Sequence, residues 1–315
     1  MDEKDIIKGK YIDPFTDFGF KKLFGEECNK DLLIDFLNEL LHQKEEKIVS
    51  LTYLKSEQLG RSEEDRKAVY DLYCENEKGE KFIVEMQKTK QTFFKDRALY
   101  YSTFPIVKQS ITGDWNYELK AVYTVAILNF VFDEDLNDLE KYKYEVMLTD
   151  IETHNIFYDK LKFVYLEMPK FTKEIDELET HFEKWMYVLK NLKRLDNIPD
   201  KLREKIFEKI FETAEIAKLT YEEFEQYIDS LKVYRDNKNS LDTARAEAEA
   251  EGRAEGRAEG RAEGRAEGRA EGRAEGRTEE KIETALNAIK MGLSIEDIMK
   301  LTELPKEQIE QISNN

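Results

Sequence analysis

The chain has 315 residues, with 50 Lys+Arg against 68 Asp+Glu and a formal net charge of −18. The 18 Phe and 16 Tyr give it core-forming surface that a disordered chain of this charge would lack, and the length accommodates one large domain or two ordinary ones. The composition excludes a membrane-spanning protein, because no apolar run approaches ~20 residues, and it excludes a protein that coats nucleic acid by bulk positive charge.

The opening residues, MDEKDIIKGKYIDPF, are polar and acidic, so no export signal is expected and the location expected is cytoplasmic. Cys28 and Cys74 are too few for a disulfide framework or a Cys-only zinc site. His42, His154 and His181 have no metal-ligand spacing. Residues 14–42 carry Phe15, Phe18, Phe20, Leu23 and Phe24, then Leu32, Leu33, Phe36, Leu37 and Leu40, at helical spacing. Gly25 ends a first helix there, and Asn29 or Asp31 caps a second. Three strands follow over 47–58, 68–77 and 80–88, the last two joined by the turn Asn76-Glu77-Lys78-Gly79. A helix is expected over 91–112, with Phe94, Ala98, Tyr101 and Phe104 along one side and a kink or break at Pro105. KAVYTVAILNFV (120–131) reads as a buried strand, and 142–151 and 160–169 as two more. From 174 to 235 the pattern is helical and amphipathic, with Pro199 starting a new helix.

Composition changes near Ala244, and from Ala250 to Arg277 the tetrapeptide AEGR repeats seven times with no net charge. On a helix this period stacks Glu on Glu and Arg on Arg, and a Gly in every turn costs ~1 kcal/mol against Ala. A lone helix is then marginal, while two side by side face Arg ladders with Glu ladders. The tract reads as a self-association arm or as a flexible linker. Beyond it, Ile282, Leu286, Ile289 and Met291 mark a helix closed by Gly292. Ser294 with Asp297 starts a second helix and Leu304-Pro305 a third. This segment is acidic and lacks base-reading cations, which favours a packing or oligomerisation unit. The expected domains are 1–170 (core), 171–243 (helical extension), 244–280 (repeat) and 281–315 (small helical unit).

Asp71 in VYDLYC and Glu85 in FIVEMQ are acids in apolar strand contexts. Side chains alternate along a strand, so Val69, Asp71 and Tyr73 share a face, as do Glu85 and Gln87, with Met86 and Lys88 on the other side. Paired in the simplest register, the hairpin brings Asp71 and Glu85 to one face. Two half-buried carboxylates repel, and a divalent cation compensates; all-oxygen ligation suits Mg²⁺ or Mn²⁺. Two solvated acids on an ordinary hairpin give the same spacing, so the pair alone does not decide.

Three segments read together decide more: YIDPFTDFGFKKLFG, then VYDLYCENEKGEKFIVEMQ, then FKDRALYYSTFPIVKQ. In this order they resemble the PD-(D/E)XK nuclease family transposases, also called Rpn recombination-promoting nucleases, over roughly residues 10–235. The resemblance implies an α/β, restriction-endonuclease-like core with a central mixed β-sheet flanked by helices. A helical segment and a long repeat-containing tail, helical or flexible, follow it. It implies that Asp71 and Glu85 bind the metal, with the Met86 carbonyl, and that Asp17 is an acid near the site. Gln87 occupies the place of the superfamily's lysine and positions water without a charge. The missing cation is expected from Lys21, Lys95 or Arg97, while Lys88 is expected to face away. Tyr100, Tyr101 and Phe104 either contact DNA or pack in the core, and Gln109 is a further candidate for the site. The implied activity is metal-dependent DNA endonucleolysis promoting recombination or transposition-like rearrangement. The alternative is a catalytically weak nuclease-fold module that forms a homo-oligomer through its tail.

Overall fold

Helix α1 (Asp17–Phe24) starts at Thr16, whose hydroxyl accepts the Gly19 N–H, and ends at Gly25. A Cβ at Gly19 would lie 2.1 Å from the Asp13 carbonyl oxygen, so only glycine lets residues 13–16 fold back onto the helix. A 3₁₀ turn over Glu27–Asn29 leads into α2 (Lys30–Leu41), which buries Leu32, Leu33, Phe36, Leu37, Leu40 and Leu41. The computed structural model describes residues 9–41, 47–58, 68–110, 116–133, 138 and 140–314. Residues 1–8, His42 and the last two residues of the helix expected over 91–112 lie outside them.

The first expected strand is two short ones, β1 (Leu51–Tyr53) and β2 (Glu57–Gln58). The second also divides, into β3 (Ala68–Val69) and β4 (Leu72–Asn76), and Asp71 lies in a bend between them. Strand β3 pairs with β2 apart from the main sheet, so Val69, Asp71 and Tyr73 do not belong to one strand face. Strand β5 (Lys81–Gln87) pairs antiparallel with β4, Leu72 opposite Val84 and Glu75 opposite Lys81. Gly79 takes a φ of +81° in the turn, as its position there requires.

Helix α3 (Phe94–Lys108) runs through Pro105 without the expected break. Proline leaves the Tyr101 carbonyl without its helical donor, and the Tyr70 hydroxyl donates to that carbonyl instead, at 2.9 Å. The helix crosses to β6 (Val122–Leu128), which is buried along its whole length between parallel neighbours. Strands β7 (Lys143–Thr149) and β8 (Ile156–Glu167) form an antiparallel pair, completing a six-stranded mixed sheet in the order β1-β4-β5-β6-β8-β7.

Strand alternation gives the sheet two apolar faces. Phe82, Val84, Met86, Val125, Ile127, Val164 and Leu166 share one core with α1, α2, α4 (His181–Asn191) and α5 (Lys205–Ala214). On the opposite face Ile83 meets Tyr70 and Tyr73, and Ala126, Leu128, Phe163 and Tyr165 meet Phe94 and Ala98 of α3. Pro199 precedes a 3₁₀ turn over Asp200–Leu202, and α5 begins only at Lys205. Tyr227, Ile228 and Leu231 of α6 (Tyr221–Lys290) join the first core, so the helices between residues 171 and 231 pack into the same apolar interior as the sheet.

The chain divides into two compact units, Met1–Asn239 and Ser240–Asn315. In the second, the AEGR repeats lie within α6, and a Cβ built at any of their seven glycines meets nothing within 4 Å. Gly292, with φ +77°, closes α6, and Ser294 caps α7 (Ile295–Thr302); α8 (Lys306–Asn314) follows. Ala285, Ala288, Ile298, Leu304 and Ile309 form the small core of this unit. The inward face of α6 is therefore Ala285, Ala288 and part of Ile289, whereas Ile282, Leu286 and Met291 are exposed. Small residues, which an apolar-periodicity reading passes over, allow the close packing. Among the described residues no helix is long and apolar enough to cross a membrane.

Candidate active site

The antiparallel ladder between β4 and β5 stops at Leu72 and Val84. The next N–H of β5 on that side, from Met86, donates to Asp71 Oδ2 at 2.7 Å. The Asp71 carboxylate thus stands in for the missing strand carbonyl. Its own N–H donates to Glu85 Oε1 at 3.4 Å. Asp71 and Glu85 meet as expected, through backbone as well as charge, while the Met86 side chain is buried in the helical core.

Glu85 is buried and faces α3, where Arg97 Nη2 lies 3.9 Å from Glu85 Oε2 and donates to Gln87 Oε1 at 2.6 Å. The Gln87 amide nitrogen donates to the Thr89 carbonyl at 3.0 Å, so both ends of this side chain have partners. Loss of hydration, then the Asp71 charge, pushes the Glu85 carboxyl up to about 8, with Arg97 acting in the opposite direction. Burial also raises Asp71; the Met86 N–H opposes that shift and the Asp17 charge adds to it.

On the other side of the ladder end lies a cavity of about 810 Å³, whose lining includes Asp17, Lys21, Asp71 and Lys88. Strand alternation turns Lys88 away from Gln87, but Asp71 sits beyond the ladder and is reached from both faces. Lys88 therefore does not face away from the site. Its ammonium is lowered by burial, against the attraction of Asp17, Asp71 and Asp13. Asp17 and Lys21 form an exposed ion pair one turn apart at 3.0 Å. No group of three or more His, Cys, Asp or Glu side chains among the described residues is arranged to hold a metal ion, so Asp17 does not complete a three-carboxylate cluster.

The remaining candidates separate. The Lys95 ammonium lies 4.3 Å from the centre of the Phe132 ring. Tyr101 and Phe104 are half-buried against Tyr70 and Ile83, whereas Tyr100 is 43% exposed. Gln109 clamps the backbone of Lys120, accepting its N–H at 2.6 Å and donating to its carbonyl at 3.2 Å. Cys74 is buried and Cys28 is exposed.

Two adjacent carboxyls, Glu85 buried and kept protonated into the neutral range and Asp71 half-buried beside it, are a donor set that suits a hard divalent cation, because such an ion removes both the repulsion and the lost hydration. A mixed sheet between helical layers, carrying this acidic pair where its central hairpin ends, fits the fold of a PD-(D/E)XK nuclease. Residues 14–244 match the family model described as PD-(D/E)XK nuclease family transposase, and the chain belongs to that family. No curated protein and no solved structure matches the chain. The family is of nuclease type, and nucleases of this kind usually use divalent metal ions.

Proposed function

We propose that the chain is a metal-dependent DNA endonuclease of the PD-(D/E)XK type, acting in the cytoplasm to promote recombination or transposition-like rearrangement. The observation that carries this reading is the buried Glu85 carboxyl held against Asp71 in a member of a nuclease family. Asp71 and Glu85, with the Met86 carbonyl, would hold Mg²⁺ or Mn²⁺. Such an ion, when bound, lowers the pKa of water and offsets negative charge on a phosphodiester. The protein's own groups do the rest. Arg97 fixes Gln87 and the outer oxygen of Glu85, and Gln87 orients water without adding charge. Lys88 and Lys21 bring positive charge to the cavity that Asp71 lines, and Asp17 restrains Lys21. The charge that Gln87 lacks is thus supplied by the next residue along the chain.

The test is nicking of supercoiled plasmid with Mg²⁺, Mn²⁺ or EDTA, beside Asp71→Asn and Glu85→Gln. Metal-dependent nicking lost in both variants supports the reading; a folded wild type that nicks with neither metal removes it. A second reading, a weak or inactive module that self-associates through its tail, is supported by the hydrogen bonds that already hold each end of the Gln87 amide, to Arg97 and to Thr89. The open glycine columns of the repeat support it further. Sedimentation of the full chain beside a chain lacking the seven repeats tests it, a loss of mass per particle being the expected result.

A further inference from the structure

In a chain with a net charge of −18, one pocket is lined by four cations and no carboxylate among the described residues. Its volume is about 250 Å³, and Lys190, Lys193, Arg194 and Lys238 surround a floor of Phe15, Met168 and Pro169. At ~30 Å³ per water that space corresponds to roughly eight waters, enough for a phosphate group with part of its hydration. Asn129, which directly follows β6, also lines it, and Met168 directly follows β8. The pocket thus lies at the C-terminal ends of parallel strands, where open α/β sheets place their ligands. The Asn129 N–H donates to the Gln87 carbonyl at 3.0 Å, which ties this pocket to the end of β5 that carries the acidic site.

The four cations are not equally free. Lys193 pairs with Asp13 at 2.5 Å, and Asp13 in turn attracts Lys88 on the other side. Lys190 donates to the carbonyls of Phe171 at 2.5 Å and Pro169 at 3.4 Å. Arg194 and Lys238 are exposed and have no hydrogen-bond or ion-pair partner among the described residues. Burial and the nearby Arg194 charge both disfavour the charged form of Lys190, against the attraction of Glu174, so Lys190 and Arg194 repel each other. Asp13 offsets the charge of Lys193, and an anion would relieve the charge left on Arg194 and Lys238.

We propose that this pocket binds a backbone phosphate of the DNA strand held at Asp71 and Glu85. Arg194 and Lys238 grip the phosphate, and Lys190 and Asn129 position it. The proposal rests on the nuclease reading, but it is tested without turnover. Binding of a fluorescent duplex to the full chain is followed by anisotropy in EDTA over a range of salt. The wild type is compared with Arg194→Ala/Lys238→Ala and with a control of equal charge change, Arg203→Ala/Lys218→Ala. One neutralised phosphate is worth ~0.9 in salt slope, so the pocket variant should lose about 1 in slope and on the order of tenfold in affinity. The control should lose neither. Equal loss in the two double variants, or no duplex binding by the wild type at low salt, overturns the assignment. Metal-dependent nicking by that same wild type would leave the nuclease reading standing. Inorganic phosphate alone is titrated by calorimetry. If it binds the wild type tightly and not the pocket variant, while duplex affinity is unchanged, the pocket serves a small phosphate ligand and the strand assignment falls.

Discussion

Glu85→Gln should stabilise the metal-free protein. The unfolded chain ionises this carboxyl from its ordinary 4.5, whereas the fold keeps it protonated until about 8. The folded state therefore binds more protons across that range, and stability falls as pH rises from 4.5 towards 8. At pH 7, at about 1.4 kcal/mol per pH unit, the interval above 4.5 corresponds to a cost of about 3 kcal/mol. Glutamine carries no charge and keeps an acceptor for the Asp71 N–H. Each kcal/mol moves the melting midpoint of a unit this size by ~2–4 °C, so the variant should melt ~6–12 °C higher at pH 7 in EDTA. Its midpoint should also fall less with pH than that of the wild type. Added Mg²⁺ or Mn²⁺ should raise the wild-type midpoint and leave that of the variant in place. If the variant melts at or below wild type in EDTA, Glu85 is not held against repulsion and the argument for its metal role loses its physical basis.

Tyr70→Phe should cost about 1 kcal/mol in urea unfolding, because the Tyr101 carbonyl loses the hydroxyl that stands in for the missing helical donor, and Pro105→Ala in the same chain should shrink that loss by restoring a helical N–H. His181 lies between Asp35 at 2.7 Å and Glu204 at 3.0 Å, with Lys184 on Glu204 and the Glu39 charge nearby. The hydrogen bond to Asp35 raises it above 6.5, so its contribution is full below 6.5 and is lost as pH rises through the folded value. Melting midpoints of His181→Gln should accordingly fall less than wild type between pH 6 and 9. Gly256→Ala, Gly264→Ala and Gly272→Ala together should raise helix content by far-UV circular dichroism, at ~1 kcal/mol per site, since no neighbour opposes the added Cβ; unchanged melting would mean that the repeat is not helical in solution.

The hairpin was legible because its signals are local. Gly79 takes the left-handed turn that its place after Asn76 calls for, and the acids flank that turn at a spacing that registers. The flanking strands were less legible. Residues 68–77 read as one alternating run, yet the chain bends at Asp71, and the partner that draws β3 away is β2 rather than the main sheet. Alternation likewise assigned Lys88 to the far face correctly, but could not show that Asp71 is open to that face, since this depends on where the ladder stops. Pro105 was read from its missing N–H; the compensation by Tyr70, 31 residues distant, has no local signature. The basic pocket draws on Phe15, Asn129, Lys190 and Lys238, which only the packed sheet and helices bring together.

The bond from the Met86 N–H to Asp71 Oδ2 has a consequence for how inactive relatives should be recognised. One carboxylate both closes the open end of a strand pair and faces the cavity in which cleavage is proposed. Replacing it with alanine would orphan a backbone donor as well as remove a charge, so such a change confuses damage to the scaffold with loss of chemistry. Asparagine keeps the acceptor and isolates the charge. For the same reason, a descendant that abandoned cleavage would still be under pressure to keep an acceptor here. An aspartate at this position therefore reports an intact strand junction, and an active nuclease has to be diagnosed from Glu85 and its surroundings instead.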